Sequence, residues 1–535
     1  MTSRPPKLPR KLLVSFLRDD LDEEVIGDLD EKFDSMVKKK SLLIARLNYW
    51  YQVVNYLRPF AIRRKLTYPN HYDMFQNYFK IGYRHLLRNK GYSFINVGGL
   101  AVGIAVAMLI GLWVCEELMF NAYHPRADRV AQILQHQTFN GVKGTQTAIP
   151  FPLGQELQRS YGEDFKYLVM SSWTGGHILS YGENIISTSG NYMDVDGPKL
   201  LALKILHGSP DGLKDPRSIM LSASVAKSLF GDQDPINQQI SIDNKLDVKV
   251  TAVYENLPVN CSFDEVKFIA PWDLYINSEP WIQFAKDQWG NNSFQLYVQL
   301  ADGADMDLVS TRIKDVKYNS VEKSEKVFKA EMFLFGMKDW YLRSNFENGI
   351  QTGGMIQYVW LFGIVGVFVL LLACINFMNL STARSEQRAR EVGIRKSIGS
   401  VRNQLISQFL SESLLVVILA FVFALGLVFV SLPWFNQLAG KQIVIPTSDL
   451  TFWAVSFGFV LLTGLLAGSY PALYLSSFQP VKVLKGTFRA GRLASLPRKV
   501  LVVLQFTVSV SLIIGHDMGK SRFWKNNRLA HRRRS

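Results

Sequence analysis

Apolar residues are gathered into a few long runs, and the polar residues between them follow several different patterns. Tyr92–Val114 is 23 residues without a charge, about 35 Å as a helix and long enough to cross a bilayer. Tyr358–Phe377, Leu414–Leu432 and Phe452–Leu475 are further runs of spanning length. Val500–Gly515, at 16 residues, is a marginal fifth. In the first run Gly99 and Gly103 form a small-xxx-small pair suited to close helix packing. In the fourth, Gly468 and Pro471 of "LAGSYPALYL" predict a kink.

The segments between the runs set the organisation. Residues 1–70 are polar, with Leu21, Val25, Leu29 and Phe33 recurring every four residues, which predicts a small helical domain. A solvated bundle and a partner-docking module both fit that pattern. Residues 71–91 place Phe75, Phe79 and Tyr83 on one face and Lys80, Arg84 and Arg88 on another, an amphipathic helix suited to the membrane surface. Spans are predicted at 92–115, 356–380, 409–433 and 451–476, with a partial one at 500–515. Residues 116–355 read as a water-soluble α+β domain of short strands and polar helices. Within it, "QQISIDNKLDVKVTAVYE" predicts a hairpin turning at Asp243-Asn244-Lys245. "SASVAKSLFGD" predicts a helix opening at Ser222 or Ser224 and closing at Gly231. A loop at 434–450 and a basic linker at 477–499 complete the division.

Charge orients the spans. The chain carries a formal +15, yet Glu116–Gln351 holds 22 Lys+Arg against 30 Asp+Glu, so the basic excess lies beside the apolar runs. Basic flanks mark cytoplasmic ends, which puts residues 1–90 and 381–408 inside, and 116–355 and the short loop outside. No basic groove with interleaved aromatics is present, so nucleic acid is a poor partner class. The first apolar run starts too late for a cleavable signal peptide and is expected to act as an anchor. Cys115, Cys261 and Cys374 have neither disulfide-framework nor zinc spacing. His85, His124 and His207 read as structural or solvated. The sequence holds no Walker A pattern and no HExxH, so no ATP site, metal or cofactor is expected on this chain.

The stretch "ARSEQRAREVGIRKSIGSVRNQL", Ala383–Leu405, packs Arg384, Arg388, Arg390, Arg395, Lys396 and Arg402 between two spans. As one helix, it would gather Ile394, Ile398, Val401 and Leu405 into an apolar stripe. Arg388, Arg395 and Arg402 would form a second stripe roughly 100° away. That predicts a helix with its apolar side on the membrane body and its guanidinium side on a partner. Gly393 and Gly399 would let it bend or end. A solvated loop that only sets topology is the plainer alternative. Glu412, where the third span enters the membrane, either pairs with one of these arginines or sits as an interfacial charge. Asn376 and Asn379 could bond a neighbouring helix.

"NFMNLSTARSEQRAREVGIRKSIGS" with "QLISQFLSESLL" resembles the cytoplasmic signature of the MacB/FtsX-like ABC transporter permeases. "LLAGSYPALYLSSFQPVKVLKG" and "RNKGYSFINVGGLAVGIAVAMLI" resemble the same family's spans. "IMLSASVAKSLFGDQDPINQQISID" is similar to its periplasmic core domain, and "EEVIGDLDEKF" to "VVNYLRPF" to a prefix domain found on some members. One departure is Ser400, where the family usually has Ala. The resemblance implies a multi-pass α-helical protein of the bacterial inner membrane, with a large α+β periplasmic domain and a small helical N-terminal cytoplasmic domain. It implies that Glu386–Ser400 is pressed against an ABC-type ATPase subunit that carries the ATP. Arg384, Arg388, Arg390, Glu391, Gly393, Arg395, Lys396 and Gly399 would then transmit motion rather than do chemistry. It also implies a second permease chain as a dimer partner and a periplasmic adaptor or outer-membrane conduit. The expected activity is export or extrusion of an antimicrobial, peptide or lipid-like substrate. The alternatives are a non-transporting transmitter that activates a periplasmic partner, such as a cell-wall hydrolase, and an inactive truncated fragment.

The tail at 516–535 holds seven Lys+Arg against one Asp. If 500–515 spans outward, the tail faces the wrong side for its charge. The resemblance stops at the same place, where relatives continue into a second half. The expectation is a permease truncated or frame-shifted at its C-terminal side.

Overall fold

The computed structural model describes residues 5–16, 22–56, 71–383, 385–477, 503, 506 and 507. The expected basic linker (beyond Ser477), the tail, most of the partial fifth span and Arg384 lie outside the described residues, as do residues 57–70 of the expected prefix domain. The chain divides into two compact units, Met1–Arg88 and Asn89–Ser535.

In the first unit, α1 (Lys7–Phe16), α2 (Asp22–Lys39) and α3 (Leu42–Asn55) form a small bundle, followed by α4 (His71–Arg88). Val25, Leu29 and Phe33, the predicted four-residue stripe, are buried against Leu13 of α1 and Ala45, Tyr49 and Val53 of α3. Tyr49 donates to Asp30 Oδ1 at 2.8 Å, and Arg10 pairs with the other oxygen at 3.3 Å. Burial and the neighbouring Asp30 raise the Tyr49 phenol well above its ordinary range.

The second unit begins with α5 (Lys90–Leu118) and leads into the sheet domain. Its strands are β1 (Val130–Phe139), β2 (Val142–Gln146), β3 (Ile149–Pro150), β4 (Phe165–Ser171), β5 (Gly175–Tyr181) and β6 (Asn184–Met193). They continue with β7 (Ile205–Gly208), β8 (Ser218–Ser222), β9 (Gln239–Ile242), β10 (Leu246–Tyr254) and β11 (Phe268–Pro271). The last of this sheet are β12 (Asn292–Leu300) and β13 (Glu331–Gly336). The order is β11-β8-β10-β9-β5-β6-β4-β12-β1-β13, and a further β11–β6 pairing closes six strands into a ring. Most pairs are antiparallel; β10–β8 and β11–β6 run parallel. Val248, Val250 and, past a bulge, Val253 share one core cluster, while Ala252 and Tyr254 belong to a second. The predicted hairpin is β9–β10, with Leu246 opposite Ile242 and both Asp243 and Asn244 at positive φ. The predicted helix runs Ala223–Phe230, with Ser222 at its N-cap and Gly231 ending it at φ +61°. A small hairpin, β14 (Asn345–Glu347) with β15 (Ile350–Gly353), precedes the return into apolar sequence.

Seven short helices, α6 to α12 (Pro152–Tyr161, Gly197–Leu200, Ala223–Phe230, Trp272–Ser278, Pro280–Ala285, Met306–Ile313 and Val316–Ser320), decorate the sheet. Then come α13 (Met355–Ala383), α14 (Ser385–Ser397), α15 (Arg402–Ala439) and α16 (Leu450–Ser476). Among the described residues, α5, α13, α15 and α16 are long and apolar enough to cross a membrane. Glycines set their spacing. A Cβ at Gly103 would collide with Ala373 Cβ of α13, and one at Gly99 would stand 3.5 Å from Asn376 Nδ2. A Cβ at Gly468 would fall 2.8 Å from Ser413 Cβ, and one at Gly464 2.9 Å from Leu414 Cδ1, both on α15. Gly468 is therefore a point of close approach, and it and Pro471 both lie within α16. The third span's helix also outruns its expected end: it continues through Pro433 to Ala439 and closes at Gly440, φ +63°. This shortens the expected 434–450 loop to about ten residues.

Candidate functional site

The basic stretch between α13 and α15 is a helix, but a shorter one than its spacing suggests. Gly399 stands at φ +104°, a conformation that side chains other than glycine adopt with strain. Around it, Ser400 N–H donates to Arg395 O and Gly399 N–H to Lys396 O, the paired closing bonds of a glycine-terminated helix. The chain then restarts as α15, where Gln404 Oε1 accepts from Val401 N–H.

This break reverses the expected faces. Val392 is buried among Leu405 and Phe409 of α15 and Ala472 and Leu475 of α16. Gly393 is buried beside it. Arg395 also faces the helical body: Nη1 donates to Gln408 Oε1 of α15 at 2.5 Å, and Nη2 meets Glu391 Oε1 at 2.6 Å. Gln408 is buried and passes the contact on, its Nε2 donating to Glu412 Oε1 at 3.0 Å. Glu412 is thus linked to Arg395 through an amide. Lys396 Nζ donates to Ser476 O at the C-terminal end of α16, 2.7 Å away, where a cation is favoured by the helix dipole. The exposed Arg395–Glu391 pair contributes little, about 0.3–0.5 kcal/mol. The charged bond to buried Gln408 is worth more, about 1.5–3 kcal/mol.

The residues expected to seat on the membrane body are uncovered instead. Ile394 and Val401 are exposed, Ile398 is 80% exposed, and Arg402 lies next to them. Only Leu405 of the expected apolar stripe is buried, and it belongs to the next helix. The seven-residue arginine stripe fails for the same reason, since Arg402 starts α15. Arg388 and Arg390 lie on α14, with side chains outside the described residues.

A second cluster lies at the opposite end of the spans, and sequence reasoning missed it. Glu117, in the last turn of α5, is fully buried. Lys441 Nζ, from the α15–α16 loop, lies 3.1 Å from Glu117 Oε1, at angles outside those of a hydrogen bond. The same ammonium sits 5.6 Å from the Phe120 ring centre and 5.3 Å from that of Tyr341, two rings stacked 3.9 Å apart. Asn436 fixes the loop by bonding Ile443 at both its N–H and its carbonyl. Burial first, and then the Glu117 carboxylate, raise the Tyr341 phenol well above its ordinary range. The sequence signal was a carboxylate just past the end of an apolar run; its partner is remote in sequence.

The sheet domain holds two further buried ionisable groups. Lys317 Nζ is buried and donates to the neutral oxygens Gln135 Oε1 at 2.7 Å and Asn292 Oδ1 at 2.5 Å; desolvation brings it down to about 8. Asp194 accepts from Met170 N–H at 2.7 Å at the edge of a cavity of about 490 Å³ lined also by Phe151, Trp272 and Asp273; desolvation pushes it up to about 7. His124 is held by Leu200 O and the Arg126 N–H, a structural role. Among the described residues no group of three or more His, Cys, Asp or Glu could hold a metal ion.

Two families match the chain. The MacB-like periplasmic core domain covers residues 93–316, and the FtsX-like permease C-terminal domain covers 363–480, which includes α14 and its contacts. The uncharacterized ABC transporter permease YknZ of Bacillus subtilis (strain 168) is 25% identical over 55% of this chain and 68% of its own length. The macrolide export ATP-binding/permease protein MacB of Bdellovibrio bacteriovorus is 26% identical over 50% of this chain; that of Marinobacter nauticus is 24% identical over 58%. The matched regions span only 38% and 45% of those two proteins. Among solved structures, a domain of a putative permease from Porphyromonas gingivalis covers 39% of this chain and 90% of its own, at 16% identity and a TM-score of 0.34. The periplasmic region of MacB from Actinobacillus actinomycetemcomitans covers 40% and 91%, at 13% identity and a TM-score of 0.30.

Proposed function

We propose, for a chain that belongs to the MacB/FtsX-like ABC transporter permeases, that α14 is the lever through which a separate ATPase subunit moves the membrane body. The ATPase seats on the uncovered edge of Ile394, Ile398, Val401 and Arg402. Its closure on ATP displaces α14, and α14 carries α15 and α16 with it through Arg395–Gln408 and Lys396–Ser476. The sheet domain between α5 and α13 moves in response. One observation carries this reading: α14 is bonded to two spans, while Ile394 on it and Ile398 and Val401 in the turn that follows it are left exposed.

In this reading residues 1–90 and 381–408 face the cytoplasm, and the sheet domain faces the periplasm from the inner membrane. A second permease chain completes the transporter, with a periplasmic adaptor or outer-membrane conduit beyond it. The work done is export or extrusion of an antimicrobial, peptide or lipid-like substrate; the macrolide export names of several relatives, and the probable syringafactin export protein SyfD of Pseudomonas syringae, support that class.

Two substitutions separate docking from transmission. Ile398→Asp removes the apolar edge without touching the contacts inside, so ATPase co-purification falls while the permease stays folded. Arg395→Ala keeps the ATPase bound but lowers transport per ATP hydrolysed. Unchanged co-purification in the first and unchanged transport in the second would overturn the assignment.

A further inference from the structure

The N-terminal bundle leaves a conspicuous face of α3 uncovered. One side of this helix is spent on the bundle core, through Ala45, Tyr49 and Val53. The opposite side carries Leu43, Leu47, Trp50, Tyr51 and Val54, whose exposures run from 40% at Trp50 to 69% at Leu43. At 100° per residue these five occupy an arc about 100° wide, centred almost opposite the core side. A helix apolar on both sides is covered on both sides in the working protein.

Charge and shape indicate the cover. No carboxylate occurs along the 14 residues of α3. Arg46 flanks the uncovered arc, and exposed Lys38, Lys39 and Lys40 stand immediately before the helix. The exposed acids Asp28, Glu31 and Asp34 belong to α2. The face is a ridge rather than a groove, because α1 and α2 pack on the other side of α3. An aliphatic ridge with a Trp-Tyr pair and cations at one end has the composition of a helix that lies in a lipid headgroup layer. A bilayer is always within reach, since Tyr56 and Lys90, where the first membrane-capable helix begins, are 34 positions apart. So short a separation along the chain keeps the bundle at high effective concentration against the membrane surface.

We propose that α3 is a membrane-surface helix: its Leu43–Leu47–Trp50–Tyr51–Val54 face inserts into the headgroup layer of an anionic bilayer, with Lys38, Lys39, Lys40 and Arg46 on the lipid phosphates. The site anchors the N-terminal bundle independently of the spans and of α14.

The test uses the full chain, one copy per nanodisc, with Cys115 replaced by Ser and a single reporter cysteine labelled by an environment-sensitive dye. Leu47→Cys reports the ridge, and Glu31→Cys on α2 is the control. In discs of phosphatidylcholine with phosphatidylglycerol, the dye at 47 is blue-shifted and quenched by headgroup-level nitroxide lipids, while the dye at 31 is not. Its exposure to a water-borne quencher rises about tenfold in phosphatidylcholine alone, or when Lys38, Lys39 and Lys40 are changed to Gln. Water exposure of position 47 in both kinds of disc overturns the proposal. So does a blue shift that survives in detergent, or that requires a second copy or an added ATPase subunit, because the cover is then protein.

Discussion

Lys441→Met is the perturbation whose cost the structure states most directly. It keeps the length of the side chain and removes the ammonium that faces Glu117, a fully buried carboxylate in α5. Leaving one partner of a buried pair uncompensated costs about 3–5 kcal/mol. Loss of the cation over Phe120 and Tyr341 adds about 0.5–2 kcal/mol. Glu117→Gln alone strands the ammonium, but Lys441 keeps the two rings and a path to water, so its cost is smaller. The double variant removes both charges together and costs far less than the sum, because replacing a buried ion pair by neutral groups is often close to neutral. The reasoning therefore demands a coupling energy of about 2 kcal/mol or more, read from a double-mutant cycle on full-length chain unfolded by denaturing detergent in mixed micelles. Single variants whose effects add within about 0.5 kcal/mol would refute it. The α15–α16 loop would then touch the end of α5 without holding it.

Three more outcomes follow from the geometry. Because Lys317 falls to about 8 in the folded chain against an ordinary 10.5, below pH 8 the folded state bears the full cost of a buried cation. Between pH 8 and 10.5 only the unfolded chain holds that proton, so sheet-domain stability climbs with pH by at most about 3 kcal/mol. Pulse proteolysis in urea across that window checks the slope, and Lys317→Met abolishes it. Gly103→Ala drives a methyl into Ala373 and weakens α5–α13 packing by about 1–3 kcal/mol, whereas Gly98→Ala, with nothing within 4 Å, is neutral in the same unfolding assay. A cysteine at Asn244, in the β9–β10 turn, is labelled by an impermeant thiol reagent in intact spheroplasts; labelling only after the inner membrane is opened would contradict the proposed topology.

How much of this was legible in the sequence depends on how local each cause is. The apolar runs announce the helices that can span, because length and absence of charge are properties of a single segment. The β9–β10 turn at Asp243 and Asn244 is equally local, as is the helix closed by Gly231. The faces of α14 were misread for one local reason: a seven-residue spacing assumes an unbroken helix, and Gly399 breaks it. Gly399 was legible as a place to bend or end, but the stripes were drawn straight through it; ended there, Leu405 and Gln408 belong to α15 and Arg395 turns inward. The Glu117–Lys441 contact and the β6–β11 closure were not legible, because each joins segments whose neighbourhood exists only after the chain has folded. Lys317 was hidden differently: its partners Gln135 and Asn292 are neutral amides, which leave no charge pattern to read.

The central claim is that the exposed end of α14 and the turn after it are where an ATPase meets this chain. A photo-reactive residue in place of Ile398, on the full-length chain in native membranes, measures it directly. The account predicts an adduct to a nucleotide-binding subunit of the ABC type, formed in higher yield with ATP than without. It also predicts no such adduct from the same probe at Val392, which is buried against α15 and α16. Adducts from position 398 to lipid or to this chain alone, with or without ATP, would contradict it.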